Sequence, residues 1–171
     1  METSADIKQN FPLDCESGIN KQINLQLHGS YVYLAMAYRF DRADVALRGF
    51  HTYCKCLSDR KRDVASQLMA YQNKRGGRIC LQDIKALSQN YSNGQKALEI
   101  ALLLEKEVNK SLLELYEVAE ACHDAQFSSL IGDYLQEQTD RIKELGDHLA
   151  NITRAGPNLG EYVFDKKSLS S

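Results

Sequence analysis

Five side chains in this 171-residue sequence could do chemistry together: Gln26, Tyr33, Lys61, Glu105 and Gln138. Each lies near the middle of a long stretch whose apolar residues recur at alternating steps of three and four. That spacing puts them on one face of a helix, so each polar residue interrupts a stripe otherwise fit for burial. A lysine in such a place is costly unless a carboxylate meets it, and Glu105 is the carboxylate at the matching level. Polar groups arriving at one level from four helices can build a metal or catalytic site, or a buried cluster that fixes register. The donor inventory weighs against a working two-metal centre, which needs several carboxylates and histidine to neutralise and hold two divalent ions. Here there are one carboxylate, two amides, a phenol and an ammonium that competes with any metal for Glu105.

The elements that must position these groups follow from the same stripes. The first runs Ile19, Ile23, Gln26, Ser30, Tyr33, Ala37, Phe40, and the second Leu47, Phe50, Cys54, Leu57, Lys61, Val64, Leu68, Tyr71. The third is Leu98, Ala101, Glu105, Val108, Leu112, Leu115, Ala119; the fourth is Ile131, Leu135, Gln138, Ile142, Leu145, Leu149, Ile152. Helices are expected at roughly 14–40, 45–72, 93–121 and 124–153, with Asp14 as the first N-cap signal. A short turn, Asp41 to Asp44, makes the first two antiparallel. Arg75-Gly76-Gly77-Arg78 ends the second helix; no strand precedes it and no Gly-Lys-Ser/Thr follows, so a phosphate loop is disfavoured. The next connection, of about twenty residues, is long enough to travel the bundle and set the third helix parallel to the second. After Gly156-Pro157 a short amphipathic piece, 159–169, closes the chain behind a polar lead of residues 1–13. The expected fold is all-α: one domain over 1–171, a four-helix bundle with one long crossover and a short fifth helix.

Composition narrows the function classes. Twenty-one basic and 23 acidic residues leave a formal net charge of −2, which argues against a nucleic-acid surface. No apolar run is long enough to cross a membrane, and the opening Met1-Glu2-Thr3-Ser4-Ala5-Asp6 is too polar for a signal peptide, so a cytoplasmic location is expected. The five cysteines are scattered and odd in number, which favours free thiols over a disulfide framework. His28, His51, His123 and His148 fall off the stripes, and no two share a ligand spacing.

Several segments resemble those of ferritin subunits, in order along nearly the whole chain. They include Ile23-Asn24-Leu25-Gln26-Leu27, Ser30-Tyr31-Val32-Tyr33-Leu34, Asp41 to Leu47, Gln72 to Ile79, Leu81 to Lys85, Leu104-Glu105-Lys106, Ile142 to His148 and Gly160 to Lys166. The Gly-Pro-Asn-Leu-Gly-Glu-Tyr ending is closer to invertebrate ferritins than to mammalian ones. The resemblance implies a ferritin-like bundle and a hollow 24-subunit shell storing iron as a ferric mineral. It also implies that Tyr33, Glu105 and Gln138 keep positions of the di-iron ferroxidase centre. Gln26 stands where the first-helix glutamate belongs, and Lys61 and Val64 replace the second helix's Glu-x-x-His.

Set beside light-type subunits, the Lys61–Glu105 pair resembles the salt bridge that fills their bundles. The expectation is therefore a non-catalytic subunit with a degenerate layer (Gln26, Tyr33, Lys61, Val64, Glu105, Gln138), ferroxidase activity absent or very weak, and Glu105 the one residual metal ligand. It would form a homo-oligomeric shell or join catalytic subunits in mixed cages. The alternatives are an altered ferroxidase using Glu105 and Tyr33, or a ferritin-shaped scaffold without an iron role. For mineral nucleation only Asp59 and Asp63 stand among Arg60, Lys61 and Arg62. In the family's iron-entry channel an acidic pair is expected early in the fourth helix. This chain is one residue shorter there, with Ser128, Ser129 and Gly132 near those positions and Asp133 beside them.

Overall fold

The computed structural model describes residues 6–87 and 91–169. Among them are five helices and no strand: α1 (Leu13–Phe40), α2 (Arg48–Lys74), α3 (Gly94–Ala121), α4 (Ala125–Ala155) and α5 (Leu159–Lys167). The first five residues of the polar lead and residues 88–90 of the long connection lie outside the described residues. No helix of the described residues is long and apolar enough to cross a membrane.

Side-chain partners give the helix directions. From α1 to α3, Cys15 meets Cys122, Gln22 meets Ser111 and Tyr33 meets Glu105. Numbers rise on one helix as they fall on the other, so α1 and α3 are antiparallel. Between α2 and α4, Tyr53 meets Glu144, Arg60 meets Glu137 and Gln67 meets Tyr134, again antiparallel. Since α1 and α2 also run antiparallel, with Ser30 against Ser58 and Glu16 against Gln72, α2 and α3 are parallel and the long connection crosses the bundle. The fold is the four-helix bundle with one long crossover and a short fifth helix.

Helix ends differ from the expected ones for identifiable reasons. α1 begins at Leu13 after Pro12, whose carbonyl accepts Cys15 N–H at 3.1 Å; Asp14 lies inside the first turn and is not the cap. α2 starts at Arg48 because Ala46 takes a left-handed φ of 54° and Leu47 N–H turns back to Phe40 O at 3.1 Å. No local side chain caps α2; instead Asp165 of α5 accepts Phe50 N–H at 2.8 Å. α3 and α4 are capped locally, by Asn93 on Lys96 N–H and by Asp124 on Phe127 N–H. Gly76, with φ 83°, makes the left-handed exit from α2.

One continuous apolar core fills the bundle. In α1 the buried face is broader than the expected stripe, taking in Gly29, Val32 and Met36, while Ser30 is only half-buried and bonds Ser58 across to α2.

Candidate functional site

Glu105, in the middle of α3, is fully buried, and three helices supply donors to it. Tyr33 O–H from α1 donates to Oε1 at 2.6 Å, and Lys61 Nζ from α2 donates to Oε2 at 2.6 Å. Gln138 Nε2 from α4 donates to the same Oε2 and to the Glu105 main-chain oxygen at 2.9 Å. The layer is thus organised around one carboxylate whose two oxygens both carry donors. Burial pushes the Lys61 ammonium below its ordinary value, with the Glu105 charge pulling the other way. Burial, then the Glu105 charge, raises the Tyr33 phenol well above its usual range, so it remains a donor.

The packing leaves slack at one point. Gln26 is 2% exposed, and its Oε1 finds no hydrogen-bond partner among the described residues. A small cavity of about 20 Å³ is lined by Gln26, Lys61, Val64, Glu105 and Gln138, room for about one water. Val64, on the α2 turn after Lys61, adds no donor. All six layer residues therefore converge, yet the donor set does not fit a pair of divalent ions. Among the described residues no three His, Cys, Asp or Glu side chains come together in a way that could hold an ion.

Around the layer lies a second polar belt that the stripe pattern missed. Arg60 grips Glu137 through two bonds of 2.6 and 2.5 Å, and Arg60 holds that carboxyl below its ordinary value. Arg141, half-buried, pairs with Glu144, which also accepts from Tyr53 O–H at 3.2 Å. A signal for the first pair existed: Arg60 and Glu137 immediately precede Lys61 and Gln138, the two residues already aligned across α2 and α4.

The remaining expected site residues lie elsewhere. Asp59 is exposed and ion-paired to Lys55 one turn back at 2.6 Å, and Asp63 is exposed on the same helix. Ser128 is buried, with no partner for its hydroxyl among the described residues, while Ser129 and Asp133 are exposed. A side chain added at Gly132 would meet nothing within 4 Å.

The comparisons with known proteins agree on kinship. A ferritin-like domain model matches residues 16–155. Soma ferritin of Lymnaea stagnalis is 51% identical over 166 residues, covering 96% of this chain and 95% of that one. The ferritin heavy chain of Echinococcus granulosus is 48% identical over 165 residues, and ferritin-1 heavy chain of Schistosoma mansoni 48% over 164, each match covering 95% of both chains.

This kinship corrects the expectation that the chain is a light-type, non-catalytic subunit lacking ferroxidase activity. Relatives at this identity are named heavy chains and a soma ferritin, which points to activity. The names of these relatives carry the correction, while Gln26, Lys61 and Val64 remain where the resemblance expects metal ligands. Tyr33, Lys61 and Gln138 still converge on Glu105. The chain belongs to the ferritin family.

Proposed function

We propose that this protein is an iron-storage subunit that assembles into a 24-subunit shell, with a remodelled ferroxidase centre at mid-bundle. Fe(II) is its substrate and ferric mineral its cargo. In this reading Glu105 is the carboxylate that meets iron, Tyr33 and Gln138 orient it, and Lys61 is the cation an incoming ion must displace. The observation that carries it is the convergence of Tyr33, Lys61 and Gln138 on Glu105, in a chain whose relatives include named heavy chains. An ammonium and a ferrous ion satisfy the same carboxylate by the same charge, so they exclude one another. Asp59 and Asp63 form the secondary mineral-facing acids, and Asp133 with Ser128, Ser129 and Gly132 the channel region.

Assembly is supported by apolar surface left uncovered in the single chain. Tyr31, Leu34 and Tyr38 on α1 line a groove with Ala86 and Leu87 of the crossover, Leu81 and Ile84 are also exposed, and α5 shows Leu159, Tyr162 and Val163. Faces of this kind call for neighbouring subunits.

The test is aerobic Fe(II) loading of the purified protein, with oxidation followed optically and particle size by sedimentation. The wild type is expected to sediment as a shell and to oxidise iron faster than buffer, and Glu105→Gln to slow oxidation by about tenfold with the shell intact. Oxidation untouched by Glu105→Gln would place the chemistry outside the layer.

A further inference from the structure

Away from the layer, where α1 begins and α3 stops, Cys15 Sγ and Cys122 Sγ lie 3.7 Å apart. They are separated by 107 positions in sequence, so the fold alone brings them together. Cys15 is fully buried in the first turn of α1, whereas Cys122, at the C-cap of α3, is partly exposed. The backbone on both sides is held. Cys15 N–H is bonded to Pro12 O, and Cys122 O accepts from Asn10 Nδ2 at 3.2 Å. Two residues after Cys122, Asp124 is clamped by Arg75 at 2.7 Å. Of the other three cysteines, Cys54 is buried in the core, and Cys56 and Cys80 are exposed.

We propose that Cys122 and Cys15 form a peroxide-responsive modification site, in which Cys122 is oxidised first and Cys15 resolves it to an intramolecular disulfide. Access sets the order, because a hydroperoxide can reach the partly exposed sulfur and not the buried one. The Cys122 sulfur attacks one peroxide oxygen and the O–O bond breaks. Sulfur loses two electrons and becomes a sulfenic acid, and the other oxygen leaves as water with the thiol proton. The Cys15 sulfur then attacks the Cys122 sulfur; the S–S bond forms, the S–O bond breaks, and the hydroxyl departs with the Cys15 proton as a second water. In sum, two thiols and one hydrogen peroxide give one disulfide and two waters.

Burial pushes the Cys15 thiol up to about 12, which disfavours its reaction with free peroxide, and its contact with the Cys122 sulfur at 3.7 Å gives it the resolving role. Disulfide sulfurs sit about 2.05 Å apart, so closure draws the two together from 3.7 Å. The product ties the start of α1 to the α3–α4 turn with a covalent staple across a long loop, where cross-links constrain the unfolded chain most. This site is independent of how the mid-bundle layer handles iron.

The experiment treats the assembled, iron-free protein with a small excess of hydrogen peroxide. Thiols are then counted in denaturant and peptides mapped without reductant. Two of the five thiols are expected to disappear, with a Cys15–Cys122 cross-linked peptide that dithiothreitol reverses and a higher guanidinium midpoint for the oxidised form. In Cys15→Ser, Cys122 is expected to run on to the sulfinic acid. A wild-type protein whose Cys122 over-oxidises without a cross-link, or whose disulfides join only Cys56 or Cys80, overturns the proposal.

Discussion

Among the described residues two buried ion pairs hold this bundle, and they differ in kind. At one end, Arg75 and Asp124 have side chains 12% and 3% exposed. Arg75 also donates to the carbonyls of Gln9 and Asn10 and to the Tyr71 hydroxyl, and its guanidinium lies over the Phe11 ring. Asp124 meanwhile caps α4. The interactions of this pair join the lead, α2 and the α3–α4 turn. In the middle, Lys61 and Glu105 are 9% and 0% exposed, yet they border a small cavity and an unsatisfied Gln26 oxygen. A pair in which each donor and acceptor has a structural task is a joint. A pair with slack beside it, three donors on one carboxylate and no capping duty is the one proposed above as a site. On that proposal, the contrast separates polar burial that serves stability from polar burial kept for chemistry.

The largest effect expected is at mid-bundle. Glu105→Ala strands Lys61 in the core and should cost about 3–5 kcal/mol in urea unfolding. The double variant Lys61→Met/Glu105→Gln removes both charges and should fall within about 1 kcal/mol of wild type. A double variant as damaged as the single one would make the layer a structural joint after all. At the bundle end, Asp124→Ala loses a cap and a bidentate partner but leaves Arg75 its carbonyls and some water, so about 2 kcal/mol is expected. Sharpening the chemical side, Gln26→Glu, Lys61→Glu and Val64→His combined should raise aerobic Fe(II) oxidation by about tenfold in stopped-flow traces. No gain with the fold intact would assign the loss to other parts of the layer.

The smallest effect concerns Glu16, beside the end joint. Its carboxyl is held below its ordinary value of 4.5, chiefly by Lys8 and then by Arg78 N–H. A depressed carboxyl contributes stability above its unfolded value and loses it as pH falls through the folded one. Between pH 5 and 3 the wild type should therefore lose slightly more stability than Glu16→Gln, as thermal melts would record.

Periodicity alone revealed the four long helices and the polar level, because both follow from spacing within one element. It pointed to Lys61 and Glu105 because a buried lysine demands a carboxylate and the third stripe held a single candidate. What stayed hidden depends on geometry between distant segments. Asp165 carries no local sign that it will cap α2, and nothing in the spacing of Cys15 and Cys122 announces contact. α2 starts later than the spacing predicts because the left-handed Ala46 is neither glycine nor asparagine. The correction on activity has a different source: residue types show which ligands are absent at Gln26, Lys61 and Val64, and only the relatives named heavy chains speak for activity.

The Asp165 cap has a consequence for how the chain comes into being. Synthesis proceeds from the N-terminus, so the opening turn of α2 is made more than a hundred residues before the carboxylate that closes it. Until α5 docks, the start of α2 relies on solvent for its free N–H groups. Docking of α5 is therefore what closes the first turn of α2, a contact that waits until Asp165 has been made.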